Sequence, residues 1–579
     1  MQRSPVLAIL SAILSGGVIA LSPVVAAERS LESILAADRA PHSLIDMPGQ
    51  PIGALLADTA GFERWPVTCA SPLALALEQR AGTLAPHLER ARRRVAVPPG
   101  LFGERILVDR EAGFAIHYGG VARGAGPLGL DHDLNGHADF ADRVAEALAS
   151  ARSLLVDRLG YPDPSAVTGT LAVYVDILDG GLEGLTAWPA AGHEAGPVPF
   201  LLIDGRLASD RIATVVVHQY AHASLALLDP RATAWWSEAT AAWLALTATG
   251  DLAAFEPALR DRLLSPGRGL GSDDLVLMQG ALLWPMFLAE MTGDPGIVRQ
   301  AWAESASQGL APMAAVDAAL RRTAGFPLAA ALREFAVWNL FTGSRDDGGH
   351  YAMGRALQEL SLPLLGPELP IALGPVEPVE PGGSVAFRIA GDGRRGSLDL
   401  EAFGEGGQPG ADLLVWIRGD SAGPLLVGLP LSAGGPGRAS IPWSEVREAW
   451  LILRNDGDDA VGPSHFTAGG TLDIRAPFDL ATLTARAAGR SIQVEWTTAS
   501  EAGLVGWNIY RGDSPAGPFS RLNTVLIPAF GDSQDEIGYV FLDEPVPHGR
   551  RLYYQVEGIT TLGFSDRSFV VSVRGNPGR

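Results

Sequence analysis

Apolar positions recur along this chain with three different spacings, and each spacing predicts a different kind of element. Residues 6–21 form an apolar run broken only by Ser and Gly. Residues 28–100 mix polar and apolar positions in a helical manner and end at Val97-Pro98-Pro99-Gly100. Between 101 and 210 the runs from Phe114 to Tyr118 and from Leu171 to Asp176 alternate, which predicts strands, since successive strand side chains point to opposite faces. A long helix is predicted between them, over 140–159, closed by Gly160 and Pro162. From 210 to 338 the pattern is mostly helical and rich in Ala and Leu.

The character changes near Gly354, where Pro and Gly begin to punctuate short alternating runs such as Ser384 to Ile389 and Leu413 to Ile417. That spacing predicts an all-β sandwich to about residue 475. The last hundred residues repeat the theme, with strands predicted over 491–496, 506–511, 551–556 and 568–573. Ile492, Val494 and Trp496 give the first of these one buried face. The Pro-rich stretch 374–381 reads as a spacer. The expected fold class is therefore multidomain α+β, with a mostly helical domain followed by two β-sandwich domains. Its divisions are 1–27, 28–100, 101–355, 356–475 and 476–579.

Length supports this division, because 579 residues exceed what one core accommodates. A formal net charge of -21 argues against nucleic acid, whose phosphates call for a basic face. The positive charge at Arg3, the apolar run and the small residues Val24-Val25-Ala26-Ala27 before Glu28 follow the plan of a secretory signal peptide over 1–27. The chain is accordingly expected to be exported, to the periplasm or the outside of the cell, with no membrane association after cleavage. An uncleaved anchor is the alternative, and the run is short for a bilayer span. Cys69 is the single cysteine, so no intramolecular disulfide can form, and a lone thiol reads first as a packing residue.

The most informative stretch runs from Thr214 to His222 and contains His218-Gln219-Tyr220-Ala221-His222. Two His at i and i+4 of a helix lie one turn apart on one face, a spacing that suits two imidazoles on one Zn2+. Sixteen residues beyond His222, in Trp235-Trp236-Ser237-Glu238, comes a carboxylate. Pro230 separates the two segments, which predicts a helical hairpin with Glu238 facing the histidines as a third ligand. The fourth position would be left to water. Taken singly, each of these residues reads as structural, His218 or His222 as a satisfied core residue and Glu238 as the cap of a polar pocket.

A second metal candidate is the loop 131–142, Asp131-His132-Asp133-Leu134-Asn135-Gly136-His137-Ala138-Asp139-Phe140-Ala141-Asp142. Side-chain oxygens at Asp131, Asp133, Asn135, Asp139 and Asp142 fall on the first, third, fifth, ninth and twelfth places of an EF-hand-like Ca2+ loop, with Gly136 at the sharp turn. His137 would contribute only its backbone carbonyl. The other reading is a solvated acidic turn that caps the following helix.

The hairpin residues are similar to those of the gluzincin metallopeptidases, in which a His-Glu-x-x-His helix precedes a helix carrying a Glu ligand. More closely, the chain resembles a family of secreted bacterial zinc metalloproteases with a fibronectin type III-like C-terminus. The resemblance extends to Phe114-Ala115-Ile116-His117-Tyr118, the loop at Asp131, Glu334-Phe335-Ala336-Val337-Trp338-Asn339 and the final β domain. Within that domain it is carried by Val494-Glu495-Trp496, Gly506 to Arg511 and Leu552-Tyr553-Tyr554-Gln555-Val556, where Trp496 and the Tyr pair are expected in the core. Arg511-Gly512-Asp513 there reads as a chance tripeptide. The resemblance implies a zincin-like domain over 101–355, zinc on His218, His222 and Glu238, and a peptide or protein substrate. One departure matters most: Gln219 stands where the family has its catalytic Glu, and a carboxamide cannot take the proton of zinc-bound water. No Tyr or His that would steady an oxyanion is found around residues 277–280. The expectation is a metal-competent, low-activity or inactive protease-like protein. The competing class is a non-catalytic exported surface or adhesion protein that binds polymers or proteins through its β-sandwiches.

Overall fold

The computed structural model describes Cys69, Ser71 and residues 105–575, less short internal stretches of which 120–129 and 188–197 are the longest. The expected signal peptide and, those two residues apart, the expected helical region over 28–100 lie outside the described residues. The chain is a multidomain α+β protein that divides into two compact units. Among the described residues, 162–258 and 272–279 fold with those up to Arg158, and the second unit is built mainly from 280 onward. The division falls inside the helical stretch, ahead of the change in sequence character near Gly354.

The first unit is organised on a five-stranded sheet. Its strands are β1 (Arg105–Asp109), β2 (Phe114–Tyr118), β3 (Leu171–Asp176), β4 (Gly184–Ala187) and β5 (Phe200–Asp204), in the spatial order β1-β2-β3-β5-β4. β2, β3 and β5 run parallel, while β1 and β4 are antiparallel edges. Helix α1 (Asp139–Arg152) lies in the connection between β2 and β3 and continues as π-helical turns over Ser153–Arg158. The two alternating runs of the sequence are thus both strands, and β3 shows the buried/half-buried alternation that its pattern requires.

After β5 the chain enters α2 (Ile212–Leu228) and then α3 (Ala234–Thr249), the hairpin expected around Pro230. The side chain of Asp229 accepts the Arg231 N–H at 3.0 Å and shapes the turn between them. Gly250, at φ 68°, ends α3 in the left-handed conformation that glycine adopts without strain. Almost the whole circumference of α2 is buried, as befits a helix that is apolar all round. It packs on α1, on α3 and on strands β4 and β5. The turn carrying His218 and His222 is therefore held from every side.

In the second unit, helices Leu283–Thr292, Gly296–Gln308, Pro312–Ala324 and Leu328–Leu340 precede the β region. Two four-stranded antiparallel sheets follow, one containing Pro409–Ile417 and Val446–Asn455, the other Ser397–Glu405 and His465–Asp473. Leu398, Leu413, Val415, Leu451 and Trp443 fill the core between them. The stretch 374–381 is not a free spacer. Val379 is fully buried and exchanges backbone hydrogen bonds with Ser464, and the Val376 N–H bonds to the Phe466 carbonyl. Hydrophobic side chains placed between the prolines sew this segment to the sandwich.

The last domain has one sheet of Phe478–Ala488, Ser491–Glu501 and Ile537–Asp543, and a second built around Leu504–Gly512 and Arg551–Thr560. This is a fibronectin type III-like sandwich, with Trp496, Trp507 and Tyr554 in its core. Tyr553 is only half-buried, so one member of the expected Tyr pair serves the core. The strand expected over 568–573 is instead two short strands, Ser565–Arg567 and Val571–Arg574. The Ser568 side chain causes the break by hydrogen-bonding the Val556 N–H in place of a ladder bond.

Candidate metal centre

One turn of α2 presents His218 and His222 to the same point, and α3 brings Glu238 to meet them. His222 Nε2 lies 3.1 Å from His218 Nε2 and 2.8 Å from Glu238 Oε1, and His218 Nε2 is 3.4 Å from Glu238 Oε2. All three side chains are at most 2 % exposed. Glu238 Oε1 has no hydrogen-bond partner among the described residues despite its close approach to His222. The three side chains thus converge on one buried point.

The N/O separations of 2.8 to 3.4 Å lie near, and for His222–Glu238 inside, what a tetrahedral ion imposes. Donors at about 2.0–2.1 Å from Zn2+ stand about 3.3 Å apart, and a nitrogen and a thiolate sulfur on the same ion about 3.6 Å apart. The residues present thus fit a bound zinc. His222 Nδ1 lies 3.0 Å from Ser237 Oγ, which fixes the ring so that Nε2 faces the centre. Gln279 Nε2 donates to Glu238 Oε2 at 3.1 Å and orients the carboxylate.

The charges of the cluster act on one another. Burial disfavours protonation of His222; Glu238 opposes that and His218 adds to it, so its pKa is lowered. Burial also pushes Glu238 toward its neutral form, but His222 and His218 outweigh it and hold the carboxyl far below the usual range. The carboxylate and the two imidazoles are thus electrostatically coupled.

Gln219 is fully buried and bonded to protein groups. Its Oε1 accepts from Ser71 Oγ at 3.1 Å and from Thr186 Oγ1 at 2.9 Å, and its Nε2 donates to Cys69 Sγ at 3.2 Å. Both polar atoms of its carboxamide are engaged, so the amide is locked between β4 and the segment at Cys69. Five residues in and around the site escaped sequence reasoning: Cys69, Ser71, Thr186, Ser237 and Gln279. Cys69 Sγ stands 3.7 Å from His222 Nε2, and Cys69, His218, His222 and Glu238 together place a ligand atom each within 4.8 Å of one another. Burial, and then the charge of Glu238, raise the thiol pKa well above its ordinary value, against hydrogen bonds from Ser71 and Gln219 that lower it.

The acidic loop forms a separate, more exposed cluster in which Asp131, Asp133 and Asp139 each offer an oxygen within 4.8 Å of the others. Asp131 Oδ1 and Oδ2 accept the N–H groups of Asn135 and Gly136 at 3.1 and 3.0 Å. Asn135 Nδ2 donates to Asp133 at 3.0 Å and to Asp142 at 3.1 Å, and Gly136 takes φ 89° at the turn. Asp139 departs from the pattern by pairing with His132. The His137 ring turns away from the loop to Tyr118 OH at 3.2 Å, so only its backbone is left for the turn.

No family model matches the chain, and no curated protein does. Among solved structures it is similar to an Fn3-like protein from Clostridium thermocellum at 18% identity, covering 18% of this chain and 99% of that one with a TM-score of 0.14. It is also similar to a beta-1,2-glucanase from Parabacteroides distasonis at 14% identity, covering 34% of this chain and 33% of that one, TM-score 0.14. A third is the FN1-FN3 domains of chicken CNTN1, at 14% identity, covering 38% of this chain and 69% of that one, TM-score 0.15. Scores of this size carry no argument for the chain as a whole, and the fibronectin type III-like assignment rests on the strand order described above.

Proposed function

We propose that this chain is an exported, zinc-metalloprotease-like protein that holds its metal and hydrolyses peptides weakly or not at all. The observation that carries this reading is the convergence of His218, His222 and Glu238 on one buried point, with an orphaned carboxylate oxygen aimed at it. In an open site zinc would polarise a carbonyl and lower the pKa of a bound water toward about 7. The proton of such a water needs a base, and Gln219 offers a carboxamide whose oxygen is already bonded to Ser71 and Thr186. The helix pair on a mixed sheet with an antiparallel edge strand supports a zincin-like domain. Residues 1–27 supply the export signal. The loop 131–142 is proposed as a structural calcium site at the start of α1.

The test is metal content by mass spectrometry on wild type and His218→Ala, paired with a peptidase assay on wild type. About one zinc per wild-type chain, lost in a still-folded His218→Ala, with little or no hydrolysis, is the expected result. A wild-type chain that takes up no zinc from solution sinks the proposal and leaves the competing reading, an exported scaffold whose β-sandwiches bind polymers or proteins.

A further inference from the structure

We propose that the Cys69 thiolate is a fourth ligand of the His218–His222–Glu238 centre, so that the centre is closed and structural, with no position left for water or substrate. This rests on the zinc reading above and goes beyond it, because that reading leaves the fourth position to a water.

Geometry comes first. The sulfur stands 3.7 Å from His222 Nε2, close to the separation of about 3.6 Å for a nitrogen and a sulfur on one tetrahedral zinc. Cys69 is fully buried, although it belongs to a segment 149 residues before His218. Its backbone is pinned by a parallel bridge to Gly184, the first residue of edge strand β4. That bridge sets the thiol over the ligand cluster. Gly184 has to be glycine for this to happen, since a Cβ there would stand 2.9 Å from Gln219 Cγ.

Two N–H groups support charge on the sulfur, against the burial and the Glu238 charge that favour the neutral thiol, and the cation is what would tip the balance. The Ser71 N–H donates to it at 3.3 Å and Gln219 Nε2 at 3.2 Å, two N–H groups converging on one sulfur. Metal-bound thiolates and imidazoles are held by such neighbouring donors. The orientation of the Gln219 amide follows from the network. Ser71 Oγ accepts the Thr186 N–H at 2.9 Å, so its own hydrogen is free for Gln219 Oε1, and the amide NH2 is left facing Cys69. A Glu at 219 would set a carboxylate oxygen against the sulfur. Gln219 and Cys69 are therefore matched, and the residue that removes the general base is the residue that supports the thiolate.

Two neutral imidazoles, one carboxylate and one thiolate balance the two positive charges of zinc, and an electrically neutral cluster is the state that a fully buried site tolerates best. Glu238 Oε1, otherwise orphaned, gains its partner in the same step.

The test replaces zinc with Co2+ in the full chain and reads the near-ultraviolet sulfur-to-cobalt charge-transfer absorption. The expected result is one Co2+ per chain with that absorption present, and the absorption lost in Cys69→Ser while Co2+ is still bound. X-ray absorption at the zinc edge of the wild type gives the same answer without a variant. One sulfur scatterer at about 2.3 Å beside lighter ligands at about 2.0–2.1 Å supports the proposal. One bound metal with no sulfur signal overturns it and leaves the three-ligand centre standing. No bound metal in the wild type overturns both readings.

Discussion

At the scale of single residues, the question is what Gln219 does now that it is not a base. Its carboxamide bonds to Ser71, Thr186 and Cys69 at once, a set that needs one acceptor and one donor in fixed positions. Restoring the catalytic type with Gln219→Glu keeps the acceptor and loses the donor. We expect zinc affinity to fall by about 10- to 100-fold, the usual cost of a supporting hydrogen bond to a ligand. Peptidase activity should stay absent in that variant, because Cys69 still fills the fourth position. Chelator competition and a peptidase assay on the same sample check both. Hydrolysis appearing in the single variant would show that the position is open and that Cys69 does not close the site. Neither Cys69 nor Gln279 was legible as part of the centre in the sequence. His218 and His222 announce themselves by an interval of four on one helix, and Glu238 follows within the same hairpin. Cys69 and Gln279 reach the site through tertiary folding alone, from segments whose spacing carries no period, and a single cysteine gives no pair to read.

Elements were more legible, because their signals are local. β2 and β3 follow from alternation, and the α2–α3 hairpin follows from its apolar runs on either side of Pro230. The stretch 374–381 shows where local reading fails. Its prolines suggest a linker, yet Val379 is buried and bonded to Ser464, a partner far along the chain. The loop 131–142 lies between these cases. Its oxygen pattern is local, and the structure gathers Asp131, Asp133 and Asp139 and ties Asn135 to Asp142 at the start of α1. If this loop holds calcium, the ion binds the folded chain and not the unfolded one. Calcium at about 100 times its dissociation constant should then stabilise the first unit by about 2.7 kcal/mol. A thermal melt in calcium against one in chelator, repeated on Asp131→Ala, makes the measurement, and the shift should vanish in the variant. Zinc must be kept saturating in every sample, so that the chelator chosen is one that takes calcium alone. Equal melting of wild type with and without calcium would assign the loop to helix capping.

At the scale of the whole molecule, the second unit carries a buried charge cluster with a calculable dependence on pH. Arg333, on helix Leu328–Leu340, donates to Asp412 at 2.6 Å, and Asp412 also pairs with Arg454 on strand Val446–Asn455. Arg454 Nε in turn stands 2.7 Å from Asp456 Oδ1, but without hydrogen-bond alignment. Two carboxylates and two guanidinium groups thus share a site in which Arg333 is 35 % exposed and the other three are largely buried. Burial raises the Asp456 pKa from 3.8 to about 6; the nearby charge of Asp412 adds to the rise, and Arg454 and Arg333 only partly offset it. The folded chain therefore keeps a proton that the unfolded chain releases between these two values. Stability from this group is fully present below the unfolded pKa and is lost as pH rises toward about 6. At about 1.4 kcal/mol for each pKa unit, the loss amounts to about 3 kcal/mol. Other carboxylates titrate over the same range with the opposite sign, so the quantity to measure is a difference between chains. Asp456→Asn cannot ionise, and its stability relative to wild type should rise by up to about 3 kcal/mol between pH 4 and pH 7. Denaturant unfolding followed through the tryptophans at both pH values gives that difference directly. A difference that does not change with pH would mean that Arg454 holds Asp456 ionised throughout, and that this cluster is a balanced salt-bridge network.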